Sequence, residues 1–248
     1  MQRKLFWGAK VVSPWLDLVE KEREILPEMR HLTLAFLGYL EELPPFPPVP
    51  FTMSPVGFFD DLLFLPSDHP RVVAYHLEFL SGKEGLFTLQ RALTTETREF
   101  LPHISILRSP KAKLSLWEEW FTPLPFYLEQ ICLYETVAPL TYVTVTHLDL
   151  LPPFREIEHT ADLAFHIYGE EMGQIYLHAT LALAFHFPPM IMEYKPLNFS
   201  TLDDLIVALN RLITKVDTEK GCPFKAVSFS GKPRETAKFT EWEMIVDV

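Results

Sequence analysis

The sequence predicts an α+β protein built as two consecutive domains, residues 1–152 and 153–248. Three observations predict it. Segments of alternating apolar and polar residues, the period of strands, are interleaved with segments at helical spacing. A Leu151-Pro152-Pro153 break follows one alternating run, Tyr142–Leu150, and precedes a fresh strand-then-helix unit at Phe154. Two strand-like segments far apart in the first part carry the same pattern, His-x-Thr or His-x-Ser.

Taken in order, Leu5–Val12 reads as a strand interrupted at Trp7-Gly8, and Ser13-Pro14 to Leu26 as a helix with proline near its first turn. His31–Leu37 reads as a strand ended by Gly38. Pro44, Pro45, Pro47, Pro48 and Pro50 make a stiff, extended connector. Arg71–Phe79 is a further strand. Leu86, Leu89, Leu93 and Phe100 keep helical spacing, and Pro102 stops that helix before a strand at His103–Leu107. Tyr127–Tyr134 and Leu140–Leu148 are expected as neighbouring strands. In the second part, Met172, Ile175, Tyr176, Ala179 and Leu183 form an apolar helical stripe. Thr201-Leu-Asp-Asp204 resembles a capping box opening a helix through Ile213. Phe224–Phe229 and Trp242–Val248 close the chain as short strands.

With 248 residues, 48% hydrophobic and 22% charged, the composition is that of a globular chain able to bury substantial cores. The longest apolar runs fall short of a membrane span, and none has the pattern of a signal peptide. Cys132 and Cys222 stand alone, which argues against a disulfide framework and a cysteine-based zinc site and makes a reducing cytoplasm the expected location. The net charge is −11, and both parts are acidic: 13 Lys/Arg against 19 Asp/Glu over 1–152, and 9 against 14 beyond. That argues against a general binder of long nucleic-acid duplexes, and leaves room for a small, locally basic cleft.

The twin segments are His31-Leu-Thr-Leu-Ala-Phe-Leu-Gly38 and His103-Ile-Ser-Ile-Leu-Arg108. Strand alternation puts His31 with Thr33, and His103 with Ser105, on faces opposite their aliphatic neighbours. Two such strands facing one cleft offer two acid/base groups and two hydroxyls around a single phosphate. One neutral histidine can take a proton from attacking water while the other, protonated, supplies the leaving alkoxide. Thr33 and Ser105 would hold the non-bridging oxygens, and Arg108 could add a cation. Spacing alone is weak: nine histidines should give about one His-x-Ser/Thr by composition, and there are three. The third, His178-Ala-Thr180, falls on a predicted helix, where that spacing splits the two side chains between faces.

These two segments resemble the signature motifs of the 2H phosphoesterase superfamily, and most nearly its 2′-5′ RNA ligase-like branch of RNA 2′,3′-cyclic phosphodiesterases. The resemblance covers residues 1 to about 151. It implies a bilobal fold with pseudo-two-fold symmetry and one motif per lobe. It makes His31 and His103 the catalytic pair and Thr33 and Ser105 phosphate ligands, and it requires no cofactor for hydrolysis of a terminal cyclic phosphate to a 2′-phosphate. Two other readings remain open: a 2H enzyme acting on a small cyclic nucleotide or a 2′-5′ linkage, which the acidic balance favours, and a non-enzymatic accessory factor for an RNA ligase.

In the second part, Asp162 lies at or in a strand, and Asp247 stands between Val246 and Val248 in a terminal strand. On physical grounds an exposed pair is favoured over a buried cation site, because burying an unpaired carboxylate is costly. Glu-His-Thr-Ala-Asp162-Leu-Ala, Tyr168-Gly169, Ala-Thr-Leu-Ala-Leu-Ala184, Phe224-Lys-Ala-Val227 and Ile-Val-Asp-Val248 resemble archease. By that resemblance Asp162 and Asp247 are ligands of a divalent metal ion such as Ca or Mg, and Lys225 is a functional cation beside them. The implied partners are RNA ends bearing a 2′,3′-cyclic phosphate and the GTP-dependent tRNA-splicing RNA ligase.

Overall fold

A computed structural model describes residues 2–94, 99–158 and 163–248. It is α+β and divides into two compact units, Met1–Leu151 and Pro152–Val248. Among the described residues no helix is long and apolar enough to cross a membrane.

The first unit is one curled antiparallel sheet of seven strands: β1 (Arg3–Val12), β2 (His31–Leu40), β3 (Val56–Leu65), β4 (Val72–Ser81), β5 (His103–Arg108), β6 (Pro125–Ala138) and β7 (Thr141–Asp149). Their order is β2-β1-β6-β3-β4-β5, with β7 also on β6. β6 is the spine. One of its edges pairs with β1, while the other pairs first with β3, over Pro125–Tyr127, and then with β7 from Gln130 onward. The sheet curls until its end strands β2 and β5 lie against each other. Its inner face buries Trp7, Leu32, Phe59, Tyr75, Ile104, Trp117 and Phe126, joined by Leu86 and Leu89 of α1 (Lys83–Leu93). A second helix, α2 (Leu114–Trp120), supplies Trp117.

Several expectations change. No helix forms over 13–26; that stretch is irregular and ends in a 3-10 turn, Pro27–Met29. Distant partners take its polar groups instead. Ile25 N–H donates to Ile106 O and Arg108 N–H to Arg23 O, while the Glu20 carboxylate accepts from the amides of Lys111 and Ala112. Gly38 does not end β2; it lies within the strand at φ +74, beside a bulge. α1 stops at Leu93, so Phe100 lies outside it but still packs edge-on against Phe87. β3 escaped prediction because a bulge between Phe59 and Asp61 breaks its alternation.

The second unit is a four-stranded antiparallel sheet in the order β10-β11-β9-β8: β8 (Phe154–Ile157), β9 (Leu163–Gly169), β10 (Ala226–Glu235) and β11 (Thr240–Asp247). Helix α3 (Met172–His186) packs on β9 and is buried on every side from Ile175 to Ala184, so it is a central helix rather than one with a single apolar stripe. A short helix, α4 (Pro189–Met192), leads to α5 (Leu202–Lys220). Thr201 caps α5 by accepting the Asp204 N–H, and the helix runs past Ile213 to Lys220, where Gly221 turns it off at φ +68.

Candidate active site

His31 opens β2 and His103 opens β5, the two strands that meet where the sheet curls. Their neighbours Leu32, Leu34, Ile104 and Ile106 are all buried in the core, which turns His31, Thr33, His103 and Ser105 to the opposite face. These four side chains line one cleft of about 780 Å³ together with Arg108.

Alternation alone does not put Arg108 there, since it would share a face with Ile104 and Ile106. A bulge does. In the β4–β5 pairing Ala74 faces Ser105 and Val73 faces Leu107, so Ile106 is the extra residue and both Ile106 and Leu107 point inward. β2 has the same device at the same offset. Gly8 faces Thr33 and Trp7 faces Ala35, so Leu34 is extra, Leu34 and Ala35 are both buried, and Phe36 joins the cleft. Each motif is therefore His-x-Ser/Thr, a bulge three residues after the histidine, and a cleft residue five after it. Gly8 permits the bulge in β2, because a Cβ there would sit 2.9 Å from Leu32 O and 3.2 Å from the Tyr134 ring.

The histidines share a second feature. His31 Nδ1 lies 2.9 Å from Met29 O, and His103 Nδ1 lies 2.9 Å from Leu101 O, each the carbonyl two residues back. A carbonyl only accepts, so in each ring Nδ1 carries the hydrogen and Nε2 is left for chemistry. The surroundings differ. His31 packs among Phe6, Tyr134 and Tyr142, with ring centroids 4.9, 5.3 and 5.0 Å away. Burial against those rings lowers its proton affinity below the ordinary histidine value of 6.5; the Met29 carbonyl opposes this, and the charges of Arg108 and His103 add to it.

Two cations that the sequence did not single out, Lys4 and Arg71, also line the cleft, as do Phe36 and Tyr142. Among the described residues no Asp or Glu lines it. Among the described residues, the side chains of Lys4, Arg71 and Arg108 make no ion pair or hydrogen bond. A chain of net charge −11 thus keeps a cleft with three uncompensated cations, a site that favours an anion.

In the second unit, Asp162 lies outside the described residues. Lys225 and Asp247 do meet: Lys225 Nζ donates to Val248 O at 2.6 Å and lies 3.6 Å from the Asp247 carboxylate. Asp247 is exposed, so no burial cost has to be offset. Among the described residues no three His, Cys, Asp or Glu side chains converge, and Asp247 has an ammonium rather than a second carboxylate beside it. The described donors do not by themselves form a divalent-cation site. His178 is fully buried on α3, its Nδ1 donating to Tyr168 O at 2.6 Å.

No family model matches the chain, and no curated protein matches it. Solved structures similar to it include E. coli LigT complexed with phosphate, 19% identical over 60% of this chain and 98% of that one, with a TM-score of 0.42. E. coli LigT complexed with 3′-AMP is 20% identical over 60% and 99%, with a TM-score of 0.40. A phosphoesterase is 20% identical over 60% and 99%, with a TM-score of 0.39.

Proposed function

We propose that the first unit is a phosphoesterase that opens a terminal RNA 2′,3′-cyclic phosphate to a 2′-phosphate, with His31 and His103 as general base and general acid. One observation carries the reading: two imidazoles, each with Nδ1 tied to a backbone carbonyl, line one cleft with two hydroxyls and three cations, and among the described residues no carboxylate joins them there.

The roles follow from the surroundings. His31, whose charged form is disfavoured by burial, is neutral and takes the proton from water as the water oxygen bonds to phosphorus. The bond from phosphorus to O3′ breaks, and His103 in its protonated form gives its proton to O3′. Thr33 and Ser105 donate to the non-bridging oxygens, and Arg108 offsets the charge that builds on them. A cyclic diester suits this equipment. It carries a single negative charge, its ring is strained, and its leaving alkoxide needs a proton donor. The acid–base pair supplies the proton transfers and the donors supply the charge stabilisation, so the reaction is expected to proceed in EDTA.

The test is incubation of purified, folded protein with an oligonucleotide ending in a 2′,3′-cyclic phosphate, with and without EDTA. The expected product is the 2′-phosphate at equal rates in both. Failure to turn over the end under either condition contradicts the reading.

A further inference from the structure

β2 carries a second bulge beyond the first. Phe6 faces Phe36 and Leu5 faces Gly38, so Leu37 is the extra residue and packs toward the core. The two bulges hold His31, Thr33, Phe36 and Tyr39 in one row on one face of the strand. Phe36 is 72% exposed and Tyr39 66% exposed, two large aromatic side chains left in water. Lys4 stands directly opposite Tyr39 in the β1–β2 pairing, and its ammonium has no ion-pair partner among the described residues. The row therefore starts at the reacting centre and runs outward as aromatic, aromatic and cation.

Its length bears on what it holds. His31 and Tyr39 face Lys10 and Lys4 of β1, so at ~3.4 Å per residue the row spans roughly 20 Å. That is longer than one nucleotide. Exposed aromatic rings next to an unpaired cation are the surface that single-stranded nucleic acid uses: bases stack on the rings and the backbone phosphate pairs with the cation.

Resting on the phosphoesterase reading above, we propose that Phe36, Tyr39 and Lys4 form a subsite for the single strand leading to the reacting end. Bases preceding that end stack on Phe36 and Tyr39, and Lys4 pairs with a phosphodiester between them. The substrate class is then an oligonucleotide end, and the mononucleotide cyclic phosphate favoured by the acidic composition is the poorer substrate. Local cleft charge outweighs the net charge of the chain.

The experiment compares kcat/KM for a mononucleotide 2′,3′-cyclic phosphate and for a tetranucleotide ending in the same group, at low and at moderate salt. The wild-type protein is expected to prefer the tetranucleotide by tenfold or more. That ratio should fall about tenfold in Phe36→Ala/Tyr39→Ala, and Lys4→Ala should weaken its dependence on salt. A wild-type ratio near one, or a ratio unchanged in all variants, overturns the subsite while leaving the phosphoesterase reading intact. If neither substrate is hydrolysed, the phosphoesterase reading fails. Fluorescence anisotropy of a 3′-phosphorylated tetranucleotide then decides the subsite separately: tighter binding than the mononucleotide, lost in Phe36→Ala/Tyr39→Ala, supports it, and equal binding overturns it.

Discussion

His31 sits among Phe6, Tyr134 and Tyr142, rings that exclude the water an imidazolium needs. A base must be neutral to act, so lowering its proton affinity extends activity to lower pH. The acid limb of the kcat/KM profile is therefore expected below the ordinary histidine value of 6.5, with activity lost only as pH falls through the lowered His31 value. Tyr142→Ala readmits water to one side of the ring and should move that limb back toward 6.5; a limb unmoved by the variant would show that the aromatic packing does not set it. At this scale the sequence revealed the two histidines and their hydroxyl companions, because a period of two residues is enough to pair positions 31 with 33 and 103 with 105. It could not reveal Lys4, on β1, or Arg71, which immediately precedes β4; both reach the cleft with no local signal to connect them to either motif.

At the scale of elements, the bulges at Leu34 and Ile106 decide which residues join the site. A strict strand reading puts Phe36 and Arg108 on the core faces; the inserted residues return both to the cleft. Nothing in the alternation announces a bulge, although the paired apolar residues Leu34-Ala35 and Ile106-Leu107 are its trace. The segment preceding β2 departs from its local pattern in the same way. Its proline near the start and charged middle fit a helix locally, but long-range packing prevails. Arg30 is buried, its Nε donating to Ile25 O, its Nη2 to Glu24, and its guanidinium 4.7 Å above the Trp15 ring. This anchor holds the turn whose Met29 carbonyl fixes His31. Arg30→Ala leaves Glu24 without its partner in a largely buried place. It is expected to lose about 3 kcal/mol in urea denaturation and to lower kcat, whereas Arg30→Leu/Glu24→Leu should recover part of the stability. A single variant as stable as wild type would mean the anchor contributes nothing.

Across the whole molecule, a Leu151-Pro152-Pro153 break is legible in the sequence and predicts a division after residue 152, while the contacts divide the chain at Leu151/Pro152. Charge distribution was not, since a net charge hides a cleft of opposite sign. The buried imidazole of His178 gives the second unit its own pH dependence. Burial lowers its proton affinity to about 4, against 6.5 in the unfolded chain. The unfolded state therefore binds the proton first, and the stability is fully present above pH 6.5 and lost as pH falls through about 4, a loss of about 3 kcal/mol. The protection factors of α3 amides, taken relative to their intrinsic exchange rates at each pH, should fall over that window, and His178→Gln should flatten the response; protection that is level with pH would contradict this. The central claim is that His31 and His103 work as one acid–base pair, and kcat on an oligonucleotide cyclic phosphate for His31→Ala, His103→Ala and the double variant tests it most directly. Each single variant, folded by circular dichroism, should lose at least about 100-fold, and the double variant little more than either. A folded single variant within about threefold of wild type would contradict the pairing.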